Sequence, residues 1–316
     1  MGHPKKLNHI SLCTGYGGID LGLSRALGDV CTVAYVEIEA FAVENLVSKI
    51  ESELLDMAPI WSNLKTFPWS LYRGKVDILS GGFPCQPFSS AGRRAGDEDP
   101  RHLFPYILNG IRQLGKPPLV FLENVEGIIS SKLNGDQWSD PEGTPVLLHV
   151  LRELERLGYD ATAGVFSARE VGAPHQRKRV FILGVRSDLG QSGRDIVSGM
   201  LRDTESEAVE RMGEPHARGC ESPERRSAER WSGSVQITES STAYPAPRGA
   251  EQYAWEPPRV TAESSMGREL DGAANRVDYA ELSRSLDNRT DELRLLGNGV
   301  VPDTAERAFR QLWRSI

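Results

Sequence analysis

The residue of this chain best suited to covalent chemistry is a cysteine between two prolines. Cys85 lies in the sequence GGFPCQP, residues 81–87, directly after a short, mainly apolar run at residues 76–80. Such a run is typical of a strand buried on both faces, and open α/β sheets bind ligands at the carboxyl ends of their strands. A lone cysteine usually packs in a core, but packing requires neither the preceding glycines nor the flanking prolines. The pattern therefore favours a rigid turn that presents a thiol nucleophile at a sheet edge.

A carboxylate and two arginines lie next to other apolar runs. Glu123 directly follows the run at residues 119–122, where it can either cap a helix or act as a general acid. Arg177 and Arg179 precede the apolar residues of a further predicted strand, and alternation along a strand would place both side chains on one side. Alternating arginines ordinarily form a solvated surface. Beside a thiol and a carboxylic acid, however, they can bind an anion or a carbonyl oxygen.

The N-terminal part carries features of a nucleotide-type ligand site. The sequence TGYGG, residues 14–18, lies between a predicted strand at residues 10–13 and a predicted helix, so that a ligand can approach its backbone. Glu37 ends the next predicted strand, at residues 33–36, where a carboxylate can accept hydrogen bonds from ribose hydroxyls. The glycines alone fit a simple tight turn equally well, and Glu37 alone fits a solvated carboxylate.

The elements that must position these residues alternate between strands and helices. Apolar runs predict strands at residues 10–13, 33–36, 76–80, 119–122 and 179–185. Helical spacing of apolar residues predicts helices at residues 40–50, 103–114 and 147–157, and further helices after the glycine turn and near the C-terminus. This alternation is typical of βαβ units and predicts an α/β fold with a Rossmann-like sheet.

Composition and charge exclude several classes of protein. Of the 316 residues, 39% are hydrophobic and 26% charged, which is typical of a globular protein and not of a fibrous or disordered one. The chain has no apolar run of the roughly 18 residues that a membrane helix needs and no apolar signal segment, so a cytoplasmic protein without membrane contact is expected. Its cysteines show no CxxC spacing, so no metal site is expected. The net charge of −7 argues against non-specific coating of nucleic acid, but not against a local basic cleft.

The composition changes at residue 187. From there to residue 275 the chain is rich in Ser, Glu, Arg, Gly and Pro, with few aliphatic residues and no sustained periodicity. Such a segment buries little core, which fits either an insert or a small module that orders against a partner. We therefore expect a catalytic and cofactor-binding domain at residues 1–186, a variable region at residues 187–275, and a C-terminal return to the first domain at residues 276–316.

Taken together, these motifs resemble those of the DNA (cytosine-5) methyltransferases. The likeness covers nearly the whole chain outside residues 187–275 and keeps the order of the family's motifs, which end with Gly-Asn-Gly-Val at residues 297–300. It implies an S-adenosylmethionine-dependent methyltransferase sheet, S-adenosylhomocysteine as a product, and a small, loop-rich target-recognition region at residues 187–275. The implied cofactor-binding residues are Cys13, Thr14, Gly15, Tyr16, Gly17, Gly18, Glu37, Ile38, Asn63, Leu64, Pro84, Asn298 and Val300.

The resemblance also implies covalent catalysis on a cytosine. Cys85 would add to C6 so that C5 can take the methyl group, Glu123 would hold the N3 edge, and Arg177 and Arg179 would lie near the base. A base stacked in a duplex cannot reach such a thiol, so the cytosine must be flipped out. The implied DNA contacts are Gln86, Ser89, Arg93, Arg94, Arg101 and Asn124. Candidates for contact with bases or phosphates in the target-recognition region are Arg225, Arg226 and Arg230.

The chain departs from the family's pattern at three positions. Cys13 stands where many members have Phe, and Asn63 stands where an Asp is expected to reach the adenine. His175 stands where many members have Gln, so no catalytic role is assigned to it.

Three other functions account for parts of the pattern. They are cytosine-5 methylation of RNA such as tRNA by a similar fold, DNA binding without chemistry, and a dinucleotide oxidoreductase. Binding without chemistry leaves Cys85 and Glu123 without a role, and an oxidoreductase leaves the Pro-Cys-Gln motif and the arginine pair unexplained. The resemblance implies double-stranded DNA as partner, a monomeric cytoplasmic enzyme of bacterial or phage origin without a metal, and a restriction endonuclease as a further partner.

Overall fold

The computed structural model describes residues 6–84, 103–134, 138–201 and 295–316. Its strands are β1 (Leu7–Leu12), β2 (Val30–Val36), β3 (Ile60–Trp61), β4 (Ile78–Gly82), β5 (Leu119–Val125), β6 (Tyr159–Ser167) and β7 (Lys178–Arg186). They form one seven-stranded sheet in the order β3-β2-β1-β4-β5-β7-β6. The first five strands pair in parallel, whereas β7 runs antiparallel to β5 and β6. The predicted Rossmann-like α/β fold is confirmed.

Helices cover both faces of this sheet. They are α1 (Gly18–Leu27), α2 (Ala40–Glu51), α3 (Phe104–Leu114), α4 (Val146–Arg156), α5 (Gly190–Met200) and α6 (Pro302–Ser315). Val120 and Leu122 of β5 pack with α3 and α4, whereas Leu119 and Phe121 pack with α1 and α6 on the other face. Because both faces of β5 are buried, its apolar residues form a continuous run and do not alternate with polar ones.

The helices that follow β1 and β4 lie on opposite faces of the sheet. α1 follows β1 and packs in one of the two apolar clusters, whereas α3 follows β4 and packs in the other. The two strands are neighbours, with Leu12 paired to Gly81. The crevice at their carboxyl ends is therefore the topological switch point, where open α/β sheets bind their ligands.

The C-terminal helix completes the face that carries α1. A Cβ on Gly22 would lie 2.6 Å from the Cβ of Ala305, so a glycine is needed for the two helices to approach this closely. Arg25 Nη1 donates to Asp303 Oδ1 at 2.6 Å. Residues 302–315 therefore belong to the same core as β1 and β5. None of the described helices combines the length and the apolar composition needed to cross a membrane.

Three elements, β3, β6 and α5, differ from the sequence-based expectation, which predicts none of them. β3 has only two residues, and only three of the nine residues of β6, the last strand of the sheet, are buried, so neither strand has the apolar run that predicts one. α5 contains three glycines, which are poor helix formers, but tertiary packing holds it. Val197 is 5% exposed, and Trp313 Nε1 donates to Ser198 Oγ at 3.1 Å. The expectation of irregular structure from residue 187 onward is thus wrong for this helix, whereas the division of the chain at residue 187 stays a prediction.

Candidate active site

The turn after β1 has the backbone geometry of a ligand-binding loop. Cys13, Gly15 and Gly17 have φ angles of 48°, 58° and 82°, in the left-handed region that favours glycine. A Cβ on Gly18 would lie 1.9 Å from the carbonyl oxygen of Val300, so this position requires a glycine. A Cβ on Gly15, in contrast, would have no atom of the described residues within 4 Å. The turn is therefore closed towards Val300 and open at Gly15, where a ligand can approach.

Glu37 is built into this turn. Its Oε2 accepts a hydrogen bond from the amide of Gly15 at 2.7 Å, and its Oε1 accepts one from the amide of Glu39 at 2.9 Å. The residue is only 6% exposed, which excludes the solvated carboxylate that the sequence alone left open. Because a carboxylate has about four lone-pair sites, Glu37 can still accept hydrogen bonds from a ligand.

Thr14 is buried at the start of the turn, whereas Cys13 is half-buried. Thr14 Oγ1 donates to the carbonyl oxygen of Ser11 at 3.2 Å. Cys13 carries a free thiol, and burial together with the charge of Glu37 raises its pKa to about 12. A raised pKa disfavours the thiolate, which is the form of a cysteine that acts as a nucleophile.

The other residues expected near the adenine differ in exposure. Ile38 directly follows Glu37 and is 67% exposed, so it offers an apolar surface at the crevice. Leu64 is buried and belongs to the core. Asn63 Oδ1 accepts a hydrogen bond from the amide of Lys65 at 2.9 Å and thereby caps the short 3-10 helix Leu64–Thr66. Ile38 and Asn63 are exposed, whereas the side chain of Leu64 is buried, and the roles of all three at the cofactor stay predictions.

Trp61 is a candidate ligand contact that the sequence analysis does not identify. It ends β3 in register with Val36, and its carbonyl oxygen accepts a hydrogen bond from the amide of Glu37 at 2.9 Å. Its side chain is 41% exposed at the carboxyl end of the sheet. β3 has two residues, so no periodicity marks it in the sequence. An exposed tryptophan beside a buried carboxylate is an arrangement suited to a nucleoside.

The C-terminal motif Gly-Asn-Gly-Val lies between the glycine turn and the arginine pair. Tyr16 Oη donates to the carbonyl oxygen of Val300 at 2.6 Å. A Cβ on Gly299 would lie 1.7 Å from the Tyr16 ring, so the close approach requires a glycine. Arg177 Nη2 donates to the carbonyl oxygens of Gly297, at 2.8 Å, and of Gly299. The motif is thus fixed from both sides.

Arg177 and Arg179 lie on one side, but not for the predicted reason. Arg177 precedes β7 and has a φ of 34°, so strand alternation does not apply to it. The two side chains converge because both donate to the carbonyl oxygen of Gly297, Arg179 through Nη2 at 3.2 Å. Burial and the neighbouring charge of Arg179 lower the pKa of Arg177. In this structure Arg177 tethers the C-terminal motif, and its role at the base stays a prediction.

Glu123 lies where the chain enters the predicted nucleophile turn. It is in register with Gly82 of β4, and a Cβ on Gly82 would lie 3.0 Å from Glu123 Oε2. Arg179 Nε lies 2.9 Å from Glu123 Oε1, an ion pair that is close but not aligned as a hydrogen bond. Within the described residues, Oε1 is therefore a buried acceptor without a hydrogen-bond donor.

Burial governs the ionisation of Glu123. The residue is 5% exposed, and desolvation raises its pKa to about 7 against the opposing charges of Arg179 and Arg177. A carboxyl group with this pKa is partly protonated at neutral pH and can donate a proton to a ligand. The 3-10 helix that follows, Glu126–Ile129, has no side-chain cap, so the alternative of a helix-capping Glu123 is wrong.

Asn124 holds the same strand end from inside. It is 2% exposed, its Nδ2 donates to the carbonyl oxygen of Phe83 at 2.9 Å, and its Oδ1 accepts from the amide of Val125. The implied DNA contact is therefore a buried brace for the residues that lead to Pro84, which is exposed. Several site residues lie outside the described part of the chain: Cys85, Gln86, Ser89, Arg93, Arg94, Arg101, Arg225, Arg226 and Arg230.

A second buried cluster has ligand types suited to a metal but already contains a cation. Donor atoms of Asp140, His149 and Glu153 lie within 4.8 Å of one another. Arg156 forms ion pairs with both carboxylates, and its Nη2 lies 2.8 Å from Asp140 Oδ1. Hydrogen bonding to Arg156 lowers the pKa of Asp140 to about 2. The guanidinium thus supplies the positive charge that this cluster needs.

Comparison with known proteins agrees with the motif order. The family described as C-5 cytosine-specific DNA methylase matches residues 7–244. The Type II methyltransferase M.NgoMIV of Neisseria gonorrhoeae is 31% identical over 179 residues, which are 57% of this chain and 52% of that protein. The Type II methyltransferase M.NgoBV of the same species is 40% identical over 184 residues, 57% of this chain and 41% of that protein. The chain thus matches about half the length of these curated relatives.

A solved structure resembles the whole fold. The Dnmt2 methyltransferase of S. pombe matches over 98% of this chain and 99% of its own, with a TM-score of 0.58 and 17% sequence identity. At this identity the likeness concerns the fold alone, and it agrees with the seven-stranded α/β sheet.

Proposed function

The chain belongs to the C-5 cytosine-specific DNA methylase family, and on that premise we propose that it transfers a methyl group from S-adenosylmethionine to C5 of a cytosine in duplex DNA. One observation carries the proposal: the buried carboxyl group of Glu123 lies beside Gly82, and Gly82 is three residues before Cys85 in the chain. Burial raises the pKa of this carboxyl to about 7, which supports a proton donor close in space to the start of the segment that carries the proposed nucleophile.

The residues of the crevice fit S-adenosylmethionine. The open space at Gly15 admits a ligand, Glu37 is available to ribose hydroxyls, and Ile38 and Trp61 offer apolar surface to the adenine. When bound, this cofactor supplies an electrophilic methyl group on a sulfonium. The remaining proposed contacts are Cys13, Thr14, Tyr16, Gly17, Gly18, Asn63, Leu64, Pro84, Asn298 and Val300.

The proposed chemistry begins with the thiol. C5 of cytosine is too weak a nucleophile to take a methyl group directly. Addition of the Cys85 thiolate to C6 makes C5 electron-rich and ready for methylation. The methyl transfer releases S-adenosylhomocysteine. Water then takes up the C5 proton, the base loses the proton gained at N3, and the thiolate is eliminated from C6, which restores the aromatic ring and the free thiolate.

Glu123 and Arg179 assist this addition. As electrons move from the thiolate into the ring, the protonated carboxyl of Glu123 donates its proton to N3, an effect worth roughly 10²–10⁴ in rate. Arg179, whose Nε lies 2.9 Å from Glu123 Oε1, then stabilises the carboxylate left behind and can also bind the O2 side of the base. The positive charge of Arg179 thus stabilises the negative charge that Glu123 acquires once its proton has moved to N3.

Sequence recognition is proposed for the variable region. Three arginines that follow Cys85 in the chain, Arg93, Arg94 and Arg101, would contact phosphates. Such contacts position DNA without reading its sequence.

A chimera tests which part of the chain reads the sequence. Exchange of residues 202–275 for those of a relative with another target keeps α5 in place and should move the target specificity with the exchanged residues. Each lost base contact should cost roughly 1–3 kcal/mol of discrimination. Bisulfite sequencing of DNA methylated by the chimera and by both parents measures this, and a chimera that keeps the original target would place recognition in the catalytic block.

Further partners follow from the same proposal. We infer a monomeric, cytoplasmic enzyme of bacterial or phage origin that uses no metal and works alongside a restriction endonuclease. The Type II methyltransferase names of the curated relatives support the endonuclease partner.

A comparison of substrates tests the proposed function. Purified protein with methyl-labelled S-adenosylmethionine is expected to label duplex DNA, and to label it at cytosine C5, while tRNA stays unlabelled. The family match favours DNA over RNA. Label on tRNA alone would establish the RNA alternative, and cofactor binding without label on either would leave a protein that binds DNA without chemistry.

A further inference from the structure

A lysine is buried beneath the glycine turn. Lys49 lies in the last turn of α2 and is 2% exposed. Its Nζ donates to the carbonyl oxygen of Tyr16 at 2.6 Å and lies 4.8 Å from the centre of the Tyr16 ring. Burial of an ammonium group is costly unless the charge is bound by polar partners, so a lysine at this position requires a reason. The proposed reaction gives it none.

The residue that Lys49 holds connects two parts of the site. Tyr16 is completely buried, and its Oη donates to the carbonyl oxygen of Val300 at 2.6 Å. Its ring lies against Gly299, whose carbonyl oxygen accepts from Arg177. Contacts therefore run without a break from α2, through the glycine turn and the C-terminal motif, to the arginine pair beside Glu123.

The charge of Lys49 also acts on the start of α1. Asp20 is buried there, and its Oδ2 accepts a hydrogen bond from Ser11 Oγ at 2.9 Å. Burial raises the pKa of Asp20 to about 7, and the positive charge of Lys49 opposes this rise. Lys49 thus contacts the glycine turn directly and acts electrostatically on the helix that follows this turn.

We propose that Lys49 is a positioning residue for the binding of S-adenosylmethionine. Lys49 fixes Tyr16 and thereby holds the glycine turn and the C-terminal motif in the arrangement that binds the cofactor. It touches neither the cofactor nor the reacting atoms and acts through Tyr16. The inference rests on the proposed cofactor site and adds a residue from outside the motifs that identify it.

Calorimetric titration with S-adenosylhomocysteine tests this role in the full-length protein. Lys49→Met removes the donor and the charge at similar length and is expected to weaken binding at least about tenfold, as loss of a charged hydrogen bond does. The effect should be on the KM for S-adenosylmethionine, with kcat at saturating cofactor within about threefold of wild type, since the reacting groups are untouched. Lys49→Arg should restore most of the affinity. Tyr16→Phe, which keeps the ring but loses the bond to Val300, should weaken binding and expose residues 295–301 to proteolysis.

Val150→Ala provides the matched control for stability. Val150 is buried in α4, so its truncation to Ala leaves a cavity in the core and thereby lowers the melting temperature. The contacts of Lys49 are left intact. Wild-type affinity in a folded Lys49→Met protein would overturn the proposal, as would an equal loss of affinity in Val150→Ala at equal melting temperature. If Lys49→Met does not fold, Lys49→Gln, which removes the charge and shortens the side chain, replaces it, and wild-type affinity in that folded variant overturns the proposal. Failure of the wild-type protein to bind S-adenosylhomocysteine would instead contradict the proposed function itself.

Discussion

Cys85→Ala is expected to abolish methyl transfer to DNA and to leave cofactor binding intact. The thiol of Cys85 is the proposed nucleophile, and Cys13 cannot replace it because a pKa of about 12 keeps that thiol protonated. Loss of the nucleophile should lower kcat by several orders of magnitude. The glycine turn and Glu37 are held by their own hydrogen bonds, so affinity for S-adenosylhomocysteine should not change. Transfer of labelled methyl groups and calorimetric titration measure the two quantities.

A covalent adduct between the protein and DNA that contains 5-fluorocytosine identifies the attacking atom. Fluorine at C5 of the target cytosine cannot leave as a proton does, so the thiol should stay bonded to C6 through denaturation. The wild-type protein should form this adduct, and so should Cys13→Ala, which loses a cysteine but keeps Cys85. Methyl transfer near the wild-type rate in Cys85→Ala, or an adduct formed by that variant, would remove Cys85 from the mechanism.

Glu123→Gln has the second largest expected effect. The amide keeps the shape of the side chain but cannot donate an acidic proton, so kcat should fall by about two orders of magnitude or more. Affinity for S-adenosylhomocysteine should stay close to wild type, because Glu123 lies at the nucleophile end of the crevice. Single-turnover methylation with saturating DNA and cofactor is the appropriate measurement.

The pH dependence of this step has a definite sign. Burial raises the pKa of Glu123 to about 7, and the protonated form is the acid, so the single-turnover rate should fall as the pH rises above about 7. This decline should be absent from the residual rate of Glu123→Gln. Glu126→Gln is the matched control, since it changes an exposed carboxylate paired with Lys178 at 3.5 Å, and its rate should remain near wild type. A rate in Glu123→Gln equal to that of Glu126→Gln would show that no proton comes from Glu123.

The sequence predicts the parts of this site that depend on strand ends. Leu119, Val120, Phe121 and Leu122 form a continuous apolar run because both faces of their strand are covered, and the residue after the run lies near the carboxyl end of that strand. Glu123 is therefore placed correctly from sequence alone. The same argument predicts that Glu37 lies at the end of its strand. It does not predict that Glu37 is buried, because this burial depends on a hydrogen bond from the amide of Gly15.

The features that sequence does not predict depend on contacts between distant residues. Lys49 is a charged residue on an amphipathic helix, and only its approach to Tyr16 makes it buried. Arg177 reaches Gly297, 120 positions along the chain, which no local pattern encodes. α5 forms because Val197 and Ser198 pack on the C-terminal helix, although its glycines predict otherwise.

The pairing of α1 with α6 fixes the C-terminal helix on the catalytic core, so the chain between α5 and α6 forms a loop that starts and ends on this core. Gly22 lies against Ala305 and Arg25 pairs with Asp303, so the ends of that loop are held by contacts that do not depend on what lies between α5 and α6. The entropy cost of closing a flexible loop rises only with the logarithm of its length, about 0.6 kcal/mol for each doubling. A longer or shorter connection before residue 295 therefore changes the free energy of the catalytic core little, whereas residues 297–300 must stay because they contact Tyr16 and Arg177. A lineage of such proteins can thus change the length and composition of this connection while its chemistry stays the same.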